Sequence, residues 1–198
     1  MLGSIKPEIR IIGFDDAPFT FTDKETLVLG VVCRGGTQLD GVVSVAIDVD
    51  GTNVAEKMTR AINSSPHKDQ LKIIMLDGVT FGGFNIADIN ALNKKTGLPV
   101  IVVIRERPRM EAIKASLSKF KDAEKRWKLI EKAGVIRPVS VTNKVIKETK
   151  TIYYQAAGIR NEDAENIIKL TAVNSSVPEP IRMAHILCSG LKDARKLK

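Results

Sequence analysis

Five aspartates stand where apolar runs give out: Asp15 and Asp16 after Ile11-Ile12-Gly13-Phe14, Asp48 and Asp50 around Val45-Ala46-Ile47-Asp48-Val49, and Asp77 after Leu71 to Leu76. Carboxylates brought to one point repel one another, and a divalent cation relieves that repulsion. Oxygen donors without a His–Cys cluster suit magnesium or manganese rather than zinc. Any one aspartate also has an ordinary use at a helix cap or a turn, so the argument rests on three strand ends taken together. Asp77 carries the sharpest signal, because Gly78, Gly82, Gly83 and Asn85 follow it. Glycines there would let backbone amides approach a phosphate, or would simply make a turn.

Strand-end carboxylates need a sheet to hold them. Glu8 to Asp16 reads as the first strand, and Thr26 to Arg34 with Gly41 to Val49 as a hairpin turning at Gly35-Gly36 and Asp40-Gly41. From Thr52 the apolar period becomes helical, with Thr52 or Asn53 placed to cap the first turn. Leu71 to Leu76 is a buried strand, Phe84 to Lys95 a helix stopped by Gly97, and Leu98 to Ile104 an aliphatic strand covered on both faces. The succession from Gly41 to Ile104 predicts parallel neighbours joined by right-handed crossovers. Met110 to Ala133 reads as a Lys-rich helix broken at Lys119 to Asp122, with Trp127 as a packing anchor. Short strands at Val139–Asn143 and Thr149–Ala156 follow, then helices at Asn161–Thr171 and from Pro178 to about Leu191, with fraying from Ala194 to Lys198. The predicted class is α/β, a mixed sheet with an antiparallel opening hairpin followed by parallel strands and helices on both faces.

The chain has 198 residues and is 43% hydrophobic, enough for one core, so a single domain over residues 1–198 is expected. No apolar run reaches the roughly 18 residues of a membrane span, and Met1 to Arg10 lacks the order of a leader, which predicts a cytoplasmic protein. Cys33 and Cys188 read as reduced core residues. A net charge of +8 favours polyanions, and Arg34, Arg105 and Arg107 would neutralise DNA or RNA phosphates if they reach the cleft. Their other reading is as solvated strand-end charges. Nothing in the sequence chooses between a monomer and a homodimer.

Gly13-Phe14-Asp15 and Leu76-Asp77-Gly78, with Gly97-Leu98-Pro99-Val100-Ile101-Val102-Val103, resemble conserved segments of endonuclease V. More closely, Gly13 to Phe19, Asp77 to Asn85 and Pro178 to His185 resemble the archaeal endonuclease dU family over nearly the whole chain. The resemblance implies an RNase H-like fold and magnesium- or manganese-dependent phosphodiester cleavage, at deaminated bases in DNA or RNA. It further implies that Asp15 and Asp77 ligate metal and that Asp50 or Glu56 stands near the third acid; the strand-end pattern adds Asp16 as a candidate ligand. Asp50-Gly51-Thr52-Asn53 replaces the Tyr-Ile-Pro-Gly wedge of endonuclease V, so lesion recognition by that wedge is not expected. In the closing helix, His185 would move protons and Arg182 would hold a phosphate oxygen, or His185 is a satisfied core histidine. The catalytic set is thus Asp15, Asp77, Asp50 and His185.

Two other readings remain. Asp48-Val49-Asp50-Gly51-Thr52 resembles the first motif of haloacid dehalogenase-type phosphatases, in which the first aspartate attacks phosphorus, although no Gly-Asp-x-x-x-Asp segment follows downstream. The other is a non-catalytic nucleic-acid-binding module on the same fold.

Overall fold

The computed structural model describes residues 6–20 and 22–194; the expected fraying beyond Ala194 lies outside the described residues. Strands β1 (Arg10–Asp16), β2 (Glu25–Arg34), β3 (Gln38–Asp48), β4 (Leu71–Asp77), β7 (Val100–Ile104), β8 (Arg137–Thr142) and β9 (Thr149–Ala157) form one sheet ordered β3-β2-β1-β4-β7-β9-β8. A separate hairpin holds β5 (Thr80–Phe81) and β6 (Asn85–Ile86). The helices are α1 (Val54–Ser64), α2 (Ile89–Thr96), α3 (Met110–Leu117), α4 (Ala123–Lys132), α5 (Asn161–Thr171) and α6 (Glu179–Ala194). Among the described residues no helix is long and apolar enough to cross a membrane.

The opening hairpin is antiparallel as expected, and β1–β4 and β4–β7 are parallel. The run of parallel neighbours starts from β1, however, and not from β3, which stands at the sheet edge with β2 as its strand neighbour. Local periodicity identifies strands but carries no information on which strand lies beside which. Asp40-Gly41 lies inside β3, because Gly35 (φ 61°) and Gly36 (φ 75°) already make the turn. The helix expected from Phe84 begins at Ile89, since Gly82 and Gly83, both at positive φ, first fold Thr80 to Ile86 into the small hairpin.

Side chains alternate across the sheet with a period of two. Ile12, Phe14, Ile74, Leu76, Val100 and Val102 join one core layer with α1 and α2. Their neighbours Ile11, Ile73, Met75, Ile101 and Val103 join the other, with α5 and the start of α6. Residues two beyond Gly13, Met75 and Val103 therefore belong to the α6 face as the strands end: Asp15, Asp77 and Arg105.

Two local features fix helix positions. Asp88 caps α2, its Oδ1 accepting from the Asn90 and Ala91 N–H groups, while Oδ2 pairs with Lys132 at 2.7 Å. Burial by itself would raise the Asp88 carboxyl, but the Lys132 bond and the two amides outweigh it and hold the carboxyl below its ordinary value. Its contribution is thus complete above the unfolded carboxyl range, about pH 4, and is lost as pH falls through the lower folded value. Asp88→Ala is expected to cost about 1 kcal/mol at neutral pH. In urea titrations the gap to the parent protein should close once the pH drops below about 4.

The second feature is Gly13. A Cβ there would lie 2.4 Å from the Pro180 carbonyl carbon, so α6 begins in direct backbone contact with β1. From Pro180 to His185 the helix advances about 7.5 Å, and from Gly13 to Asp15 the strand advances about 6.6 Å, so contact at the first pair carries His185 to Asp15. Gly13→Ala pushes the helix away. Its expected cost is about 1–3 kcal/mol, measured by urea titration against the parent protein.

Candidate metal centre and its cleft

Asp15, Asp77 and His185 each offer a ligand atom, and these atoms all lie within 4.8 Å of one another. Adjacent parallel strands bring the two carboxylates together, because Phe14 pairs with Leu76 and the next residue on each strand faces α6. His185 comes from across the core, its Nδ1 2.8 Å from Asp15 Oδ2. The imidazole is 51% exposed, whereas the Asp15 side chain is 9% exposed. With Asp16, Arg105, Ser189 and the Ala17–Phe19 segment they line a cleft of about 370 Å³.

The electrostatics are those of crowded acids. Burial raises the Asp15 carboxyl above its ordinary value and the charge of Asp77 adds to this; the His185 bond and the Asp16 N–H oppose the rise without cancelling it. Asp16, on the other face of β1, is pushed up to about 6 by burial, although its Oδ2 accepts from the Gly82 N–H at 2.8 Å. Arg105 Nη2 donates to Asp77 Oδ2 at 2.8 Å. The Cys188 thiol contacts the Asp15 carbonyl oxygen at 3.3 Å, and burial pushes it up to about 12, so it is an inert packing group.

Other expected site residues stand elsewhere. The Asp50 carboxylate accepts from the Phe84 N–H at 2.8 Å and is a turn lock, its backbone at φ 54°. Glu56 is exposed and pairs with Arg60. Neither joins Asp15 and Asp77; the third group there is His185. Arg34 sits opposite Arg10, beside Asp40 at 3.7 Å, because antiparallel β2 ends where β1 begins. That is the end of the sheet away from Asp15. Arg182 forks onto the fully buried Glu179 at 2.7–2.9 Å and anchors the start of α6. Asn85 is buried, donating to the Asp48 carbonyl and accepting from the Val54 N–H, so it caps α1 in place of Asn53. Asp48 is exposed at the end of the edge strand, and the lock on Asp50 leaves the phosphatase pair without a shared site. Gly78 follows Asp77 at φ 81°, and Arg107 is exposed on the loop after Arg105.

Arg126 is a residue the sequence did not single out. Its guanidinium, almost wholly buried, donates to the carbonyls of Asp50, Gly51 and Phe84 and to Asp122 Oδ1. It ties α4 to both loops beside the cleft. Its place in a Lys-rich helix offered no signal, since pattern alone does not separate a buried arginine from solvated ones.

A mixed sheet with strand-end aspartates on adjacent parallel strands, covered by helices on both faces, defines an RNase H-like α/β protein. Residues 7–192 match the endonuclease dU family, and the chain belongs to that family. A UPF0215 protein of Methanothermobacter thermautotrophicus is 48% identical over 189 residues, covering 94% of this chain and 89% of the relative. A crystal structure of an Archaeoglobus fulgidus protein of unknown function superposes with a TM-score of 0.79 at 33% identity, covering 92% of this chain and 97% of that one. Endonuclease V of Ciona intestinalis, bound to DNA containing inosine, superposes with a TM-score of 0.61 at 16% identity, covering 96% of this chain and 88% of that one. At that identity the likeness is one of fold.

Proposed function

We propose that the chain is a magnesium- or manganese-dependent endonuclease acting on nucleic acid at deaminated bases. The observation that carries this reading is the convergence of Asp15, Asp77 and His185 within 4.8 Å at the floor of an open cleft. The donor set fits a hard divalent cation: two carboxylates, one of them raised by burial and then by the charge of the other, have a surplus of negative charge that such an ion would neutralise. Asp15 and Asp77 would hold it, with His185 beside them. When bound, the ion would lower the pKa of a coordinated water and stabilise charge on the phosphoryl oxygens.

The chain's own groups supply the rest. Asp15 orients the His185 ring through Nδ1, and the half-exposed imidazole can exchange a proton with the cleft. Arg105 is 46% exposed while bonded to Asp77, which leaves N–H donors for a phosphate oxygen. Family membership and the DNA-bound endonuclease V of the same fold support a nucleic-acid substrate.

The test is cleavage of labelled strands carrying one deoxyuridine or inosine, with magnesium, with manganese and with chelator. Cleavage confined to the metal-containing reactions, adjacent to the altered base, is the expected result. Salt-sensitive binding without cleavage in either metal would replace this reading with a non-catalytic binding module.

A further inference from the structure

Residues 105–132 hold ten Lys and Arg against five Asp and Glu, a net of +5 out of the chain's +8. This stretch starts at Arg105, on the cleft, and runs through α3 and α4. Between those helices lies an open groove of about 460 Å³, lined by Leu117, Ala123 and Trp127, by Lys114 and Lys128 and by Glu124 and Glu131, with Lys128 paired to Glu124 at 2.9 Å. Trp127 is only partly buried, and its Nε1 donates to Glu131 Oε1 at 2.7 Å, which fixes the ring plane. Lys114 Nζ lies 5.2 Å from the ring centroid. Nearby, Phe84 and Phe120 meet edge to face at 5.6 Å, with Lys119 over both rings and Arg126 over Phe120.

The groove is tied to the cleft. Its helices pack on Phe84 and Ile86 of the β5–β6 hairpin, and the Gly82 amide of that hairpin holds Asp16 at the cleft wall.

A flat aromatic surface with Lys114 over its face, set in a stretch of net charge +5, suits a ligand whose units are themselves flat, stacked and joined by anions. We propose that the α3–α4 groove is a binding track for single-stranded nucleic acid, in which a base stacks on Trp127 and Lys114 swings from the ring face to a backbone phosphate. An acidic peptide would meet Glu124 and Glu131 at the rim and leave the ring face without a partner. A duplex keeps its bases inside and cannot reach the ring. The inference rests on the nuclease reading for its direction of approach, but its test is independent.

Trp127 is the sole tryptophan of the chain, so its emission reports on this groove alone. Chelator-treated protein is titrated with oligothymidylate and with the matching duplex, while fluorescence anisotropy of a labelled strand measures total binding. The single strand should quench Trp127 emission to saturation and the duplex should not. The apparent affinity should fall steeply with added salt. Trp127→Phe should keep the affinity, and Trp127→Leu should lose roughly ten-fold or more. Because Trp127 also packs on its neighbours, Lys114→Gln serves as a second variant that spares the core and should weaken binding while the thermal midpoint holds.

Strand binding by anisotropy with unchanged Trp127 emission, or unaltered affinity in both Trp127→Leu and Lys114→Gln, overturns the proposal. So does quenching by an acidic peptide and not by oligothymidylate. Metal-dependent cleavage in those cases leaves the nuclease reading standing, whereas quenching with no cleavage in any metal removes that reading and keeps the groove.

Discussion

Asp77→Asn is expected to abolish metal-dependent strand cleavage while leaving the thermal midpoint almost unmoved. Loss of a partner that merely orients a ligand costs 10–100-fold, so replacing a direct oxygen donor should cost more than about 100-fold in single-turnover cleavage. Stability should respond little, for two opposing reasons. The Asp77–Arg105 pair is partly solvent-exposed and contributes about 0–1 kcal/mol. Removing the Asp77 charge also relieves the repulsion that helps raise the Asp15 carboxyl, which favours the folded state. Asparagine keeps the shape and one oxygen, so an unfolded variant would not be the explanation of inactivity. Cleavage at the parental rate in Asp77→Asn would remove the centre from the mechanism.

Arg126→Met should have the opposite signature, with a large loss of stability and a secondary loss of activity. The buried guanidinium serves three backbone carbonyls from two loops, and an apolar replacement leaves those acceptors without a donor. The cost is about 3 kcal/mol, a drop in thermal midpoint of roughly 6–12 °C for a chain of this size. Arg126→Lys should rescue little, since an ammonium is a point donor and cannot span the fork. Calorimetry of the parent and both variants checks this. Equal midpoints for Arg126→Lys and the parent protein would show that charge, and not the planar fork, holds the loops. Activity is expected to fall because Phe84, Asp50 and the Gly82 amide that holds Asp16 share the loosened segment.

Much of the site's skeleton was legible in the sequence by itself. Ile11-Gly13-Asp15 and Ile73-Met75-Asp77 share a parity, and two strands that alternate in step must present their last carboxylates to one face once they are neighbours. The break between α3 and α4, the strands β8 and β9 and helix α5 followed from period and turn chemistry, which act over a few residues. What lay beyond the sequence was everything fixed by contacts distant along the chain. His185 is 170 residues from Asp15, and only the close approach of α6 at Gly13 brings them into hydrogen-bond range. Antiparallel pairing carried Arg34 to the far end of the sheet, and a turn amide engaged Asp50. Sequence period determines what each segment is and which face it shows. Sheet order, helix approach and the use of a polar group depend on packing between segments, where shape and unpaired backbone groups decide, and no local pattern records that choice.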